Sequence, residues 1–255
     1  MKNTWIVAKR DLGSFFSSPV FYTVTTVFLI LYGFIFSNIL SFFSLQSLQS
    51  QQFRGMAVGL NLNEMVIEPS FHNMAVILLL IIPLITMRSF AEERRAKTFP
   101  LLLSSPIHLG EIILGKFLAC MTVVGVMILL SAYSTGYLML VGRPEAGPIL
   151  TGYLGMLLMS GCYVSMGLFA SSLTDNQIIA AVISFGLALF MWIIGWGAQA
   201  AGPGLGQVLE YLSLITHLEH FLKGLVNTSD LIYYFSFILF GLFLTYRVLE
   251  SSRWR

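Results

Sequence analysis

His217 and His220 stand three residues apart with Glu219 between them, so on a helix their imidazoles would share a face in the manner of paired zinc ligands. No third or fourth ligand follows nearby in the sequence, and a structural or interfacial role is the expectation. Met159-Ser160-Gly161 puts a serine in an apolar run, but no glycine stands two residues before it and no histidine in that run could serve as its base. Asn227-Thr228-Ser229 has the spacing of a glycosylation acceptor and is read as incidental. Cys120 and Cys162 both sit in apolar runs, where a free thiol behaves as a small hydrophobe, so neither a disulfide framework nor a metal site is implied. The Gly-x-x-x-x-Gly-Lys-Ser/Thr phosphate loop does not occur. Any energy the protein uses must come from another chain or from an ion gradient, and the chain itself is not expected to be an enzyme.

The densest chemistry is a charged stretch over residues 89–105, with Arg88 before it. Arg88 precedes Glu92 by four residues and Glu93 precedes Lys97 by four, which places weak pairs of roughly 0.2–0.5 kcal/mol on neighbouring turns of a short helix. Pro100 is expected to end that helix by removing a backbone donor and forcing Phe99 out of the α region. The segment reads either as a solvated loop or as a docking surface for a soluble partner.

Composition decides what surrounds this knob. Of 255 residues, 56% are hydrophobic and 10% charged, which is too apolar for a water-soluble domain. The chain is expected to be an all-α integral membrane protein. A net charge of +2, with no basic run interleaved by aromatics, gives no sign of nucleic-acid binding.

Residues 3–18 carry an apolar stripe of Trp5, Ala8, Leu12, Phe15 and Phe16 opposite Arg10, Ser14 and Ser17, the pattern of a helix lying in a membrane interface. Spans are expected at about 20–40, 71–88, 112–141, 147–172, 178–198 and 231–247 against roughly 30 Å of hydrocarbon, the sixth being short and completed by Arg247 snorkelling outward. A polar loop is expected over 41–70, and Lys116 is expected to snorkel to the interface from the start of the third span. Gly161 with Ser165, and Gly167 with Ser171, are spaced to let another helix approach closely. Thr174 and Gln177 have capping-box spacing ahead of the fifth span. Residues 205–225 are too apolar for an ordinary loop and too broken for a crossing, so they are expected to form a re-entrant pair of short helices.

Basic residues then set the orientation. With both termini cytoplasmic, eleven lie inside and three outside, namely Arg54, Arg143 and Lys223. The knob is thereby cytoplasmic and 205–225 outward, in a multi-pass protein of the cytoplasmic (inner) membrane.

Phe90-Ala91-Glu92-Glu93-Arg94-Arg95, followed by Thr98, Leu101-Leu102-Leu103, Ser105-Pro106, Glu111-Ile112 and Gly115-Lys116, resembles the membrane subunit of type-2 ATP-binding-cassette export systems. Leu214 to Phe221, then Gly224 and Asp230-Leu231-Ile232-Tyr233-Tyr234, is similar to the outer segment of the gliding-motility and nitrous-oxide-maturation branches. The chain departs from the family where Lys97 and Pro100 replace its usual glycine and glutamate.

The resemblance implies a permease subunit, catalysing no reaction of its own, that exports substrate with ATP and Mg held by a partner. Its partners would be two copies of a cytoplasmic ATPase and a second membrane subunit, identical or different. Segment 89–105 would be the coupling helix, meeting the ATPase through Glu92, Glu93, Arg94, Arg95, Lys97 and Thr98, with Thr174, Asp175 and Gln177 as a second contact. Leu209, His217, Glu219, His220 and Phe221 would belong to an outer gate. The alternative class is a non-transporting anchor or regulator of a surface or motility complex; a lipid-modifying enzyme lacks acids and histidines in its spans.

Overall fold

The computed structural model describes residues 2–52, 61–98, 107–142, 144–198 and 202–252, and among these every regular element is helical. Helix α1, Lys2–Ser17, leads directly into α2, Pro19–Gln52, whose first residue is a proline that suits a helix start. A π-helical turn, Asn63–Ile67, then runs into α3, Glu68–Thr86, and one residue later α4, Arg88–Arg95, continues from it. Next come α5, Leu109–Leu130, α6, Ala132–Val141, α7, Ala146–Leu173, and α8, Gln177–Ala198. Two short helices, α9, Gly202–Leu212, and α10, Leu214–Leu222, precede the last, α11, Thr228–Ser252.

By length and composition six stretches could cross a membrane: Pro19–Gln49, Asn63–Arg95, Leu109–Val141, Ala146–Leu173, Gln177–Ala198 and Thr228–Ser252. Helix α2, the first of these, is longer than its uncharged run. Beyond residue 40, where a loop was expected, Ser41, Ser44 and Ser47 donate their hydroxyls to the carbonyls of Ser37, Ser41 and Ser44. Polar side chains that turn back onto their own helix let it continue through a polar stretch. The second span likewise starts earlier than expected, because the π turn and Glu68 are already helical.

Helix α7 is the centre of the bundle. Most of it is buried, whereas little of α2, α8 and α11 is, and their exposed side chains are largely apolar, as suits lipid or another subunit. Small residues let neighbours reach its backbone: a Cβ on Gly161 would meet Ile238 of α11, and one on Gly167 would overlap the Thr86 hydroxyl of α3. Both glycines were legible as close-approach positions.

The six long stretches alternate in direction, so α4, the 174–176 turn and the end of α11 lie at one end of the bundle. Helices α9 and α10 lie at the other. Between Asp230 and Ser252 the rise of α11 is roughly 33 Å at 1.5 Å per residue, about one hydrocarbon thickness.

Candidate functional site: the α4 end of the bundle

Helix α4 is buried on one side and charged on the other. Ser89, Phe90 and Ala91 are buried, while Glu92, Arg95, Lys97 and Thr98 are exposed. Its N-terminus has no capping side chain of its own. Ser171 of α7 supplies one from outside: its hydroxyl accepts from the Phe90 and Ala91 amides at 3.0 and 3.1 Å and donates to the Met87 carbonyl at 3.0 Å. Donors that a helix start leaves unpaired are thus satisfied by a different helix. Ser171 stood out in the sequence only for its small size.

The helix ends earlier than Pro100, which lies outside the described residues along with the rest of 99–106. Arg95 is its last residue, and the expected helix over 89–105 is cut short by a left-handed turn rather than by proline. Lys97 has φ +55°, its amide donates to the Arg94 carbonyl at 3.0 Å, and the Thr98 amide donates to the Glu93 carbonyl at 3.0 Å. That pair of bonds is a Schellman stop, normally built on glycine. Lysine occupies the position at a conformational cost.

Glu93 does not pair with Lys97. Its Oε1 accepts from Arg10 of α1 at 2.9 Å and from Lys116 of α5 at 2.9 Å. Asp11 completes the ring, 2.9 Å from Arg10 and 3.1 Å from Lys116. Lys116 also donates to the Ser89 carbonyl at 2.7 Å and lies over the Phe90 ring. Two cations and two carboxylates therefore lock α1, α4 and α5 together. Lys116 is 3% exposed and does not snorkel; its charge is met inside the protein. Burial opposes the charge on Arg10, yet Asp11 and Glu93 hold its pKa above the ordinary arginine value.

Arg94 reaches the other way. It donates to Ser252 of α11 at 2.9 Å and comes within 3.9 Å of Asp175. The turn holding Asp175 thus lies beside α4. Its cap is not Thr174 with Gln177, as the spacing suggested: Asn176 accepts from the Ile178 amide at 2.9 Å, and Thr174 accepts from the Asn176 amide at 3.1 Å. Of the residues expected to face a partner, Glu92, Arg95, Lys97, Thr98 and Asp175 are exposed, while Glu93 and Arg94 are turned into the protein.

The chain matches the family model of the ABC-2 family transporter protein over residues 5–248. It belongs to that family. No match was found among curated proteins. As an ABC-2 chain it is a multi-pass membrane permease subunit of an ABC transporter, a class whose membrane subunits work with a separate ATPase.

The residues assigned to a gate lie at the opposite end of the bundle. His217 and His220 each direct Nδ1 at a carboxylate oxygen of Asp230, at 2.6 and 2.9 Å, and His217 stacks on Tyr233 at 4.0 Å. Phe221 is buried in the core, Leu209 is half-buried, and Glu219 lies 3.8 Å from Lys223. Among the described residues no group of three or more His, Cys, Asp or Glu side chains is arranged to hold a metal. The imidazoles clamp α10 to the start of α11. Asp230, which completes this cluster, stood in the sequence only as part of the family-like string.

Proposed function

We propose that this permease subunit exports its substrate across the cytoplasmic membrane, driven by ATP hydrolysed with Mg in a separate cytoplasmic ATPase that docks on α4. The observation that carries the proposal is the two-sided character of α4. One side is fixed to α1, α5, α7 and α11, and the other presents Glu92, Arg95 and Lys97 to solvent beside Asp175. An exposed rim of mixed charge suits a partner that must bind in one orientation and let go.

Coupling follows from the connections. Because α4 continues α3 after a single residue, a push on α4 acts along that span, while Ser171 carries it to α7 and the charge ring carries it to α1 and α5. The complex would contain two ATPase copies and a second membrane subunit, for which the exposed apolar faces of α2, α8 and α11 leave room. By the basic-residue count α4 faces the cytoplasm, and α9 with α10 forms the outer hairpin and gate.

The test is copurification of the tagged full chain with a co-expressed candidate Walker-type ATPase, together with reporters placed after Arg255 and after Gly204. ATPase recovery with a cytoplasmic first reporter and an external second one is expected. Stable insertion without any ATPase bound, or an external C-terminus, overturns the proposal.

A further inference from the structure

A cavity of about 540 Å³ lies between α1, the start of α2, the α3–α4 junction and α5. That is within the usual size of small-molecule sites, roughly 300–1,000 Å³. Phe21, Val24, Leu84, Ile85 and Val123 give it an apolar interior, and Arg10, Asp11, Arg88, Glu92, Glu93 and Lys116 give it a charged mouth.

Four of those charges are already committed. Arg10, Asp11, Glu93 and Lys116 close on one another as two cations and two carboxylates, Glu93 through Oε1 only, its Oε2 being buried without a hydrogen-bond partner. Arg88 and Glu92 are left. Arg88 has no hydrogen bond or ion pair among the described residues, and its Nε is shut off from water without a partner. A buried donor on a charged group is costly to leave unmet, and the planar guanidinium fork matches phosphate or carboxylate. Glu92 stands one turn further along, exposed and also unpaired. Side chains four apart on a helix project side by side, roughly 5–6 Å between Cβ atoms.

The mouth thus offers one site for an anion and, one turn away, one for a cation. Below them lies an apolar channel. We propose that the cavity holds an amine-bearing phospholipid of the phosphatidylethanolamine class, with its phosphate on Arg88, its ammonium on Glu92 and the upper part of an acyl chain against Phe21, Val24 and Leu84. A two-carbon bridge separates phosphate from ammonium in such a headgroup, so both charges can be met at once. A purely anionic headgroup would satisfy Arg88 and set a negative charge against Glu92. Leu84 and Ile85 stand four and three residues before Arg88, so chain and headgroup are ordered along the helix as they are in a bilayer leaflet. The proposal needs only that the chain spans a bilayer, and stands apart from whether α4 binds an ATPase.

The test is lipid binding by the purified full chain, with no ATPase present, titrated with phosphatidylethanolamine, phosphatidylglycerol or phosphatidylcholine and read by native mass spectrometry. The parent should bind phosphatidylethanolamine several-fold better than the other two. Arg88→Gln should lower that binding about tenfold, whereas Glu92→Gln should keep phospholipid bound and abolish the preference for the amine. Soluble phosphoethanolamine and inorganic phosphate should compete only weakly. Equal binding of the three lipids by the parent overturns the proposal, as does an unchanged preference in Glu92→Gln. Competition by phosphoethanolamine as strong as that by lipid would overturn the acyl-chain assignment and with it the phospholipid. If Arg88→Gln lowers the unfolding midpoint, the parent's preference and the Glu92→Gln comparison still decide.

Discussion

Lys116 Nζ lies 2.9 Å from Glu93 Oε1, joining the start of α5 to the last turn of α4 across 23 residues of sequence. Glu93 therefore differs from its neighbour Glu92, which points to solvent. Reversing Glu93 to lysine would set a third cation against Arg10 and Lys116. With Lys116 buried and the carboxylates partly wet, the loss is on the order of 2 kcal/mol. We expect Glu93→Lys to lower the unfolding midpoint in detergent by several degrees, and Glu92→Lys to leave it nearly unchanged, as is usual at an exposed site. Equal loss in both variants would show that the ring does not hold α4.

Ser171 acts on α4 from another helix, and its removal should show at α4. Ser171→Ala strips the acceptor from two buried amides, at a cost of about 1–3 kcal/mol. Hydrogen exchange at the Phe90 and Ala91 amides should accelerate more than exchange in the middle of α7. Uniform acceleration across both helices would mean that the serine merely fills space.

Lys97 holds a left-handed conformation that costs a non-glycine residue roughly 1–2 kcal/mol. Lys97→Gly should raise the midpoint by a few degrees, and Lys97→Ala should not. A fall in the glycine variant would indicate that the lysine side chain contributes more than its backbone strain removes.

At the far end, Leu222 is buried and Asn227 exposed, while Leu205 is exposed but apolar. If α9 dips into the outer leaflet as proposed, single cysteines there should react with a membrane-impermeant maleimide in the order Asn227, then Leu205, then Leu222. Labelling of Leu205 as fast as Asn227 would place α9 in water and remove the basis for a gate.

How much of this was legible follows from what each residue is bonded to. The spans could be read because uncharged apolar runs have little else to be in water or lipid. The reach of α2 past residue 40 could not, since its serines look like loop until their hydroxyls are seen bonded to their own helix. The knob was visible as a cluster of charge. Which of its charges face inward was not, because the answer rests on Asp11, 105 residues away from Lys116 in sequence. One signal was available: a lysine just inside an apolar span needs a carboxylate, and Asp11 is the only acid before Glu64. Asp230 was hidden for the same reason, as its two imidazoles lie in the preceding helix.

The central claim, that the exposed side of α4 is where an ATPase binds, is tested most directly by site-specific photo-crosslinking in membranes containing both subunits. A crosslinking residue at Arg95 should capture the ATPase, with lower yield in a background carrying Glu92→Lys, and one at Asn227 should capture none. Capture from Asn227, or none from Arg95 while the ATPase still copurifies, would contradict it.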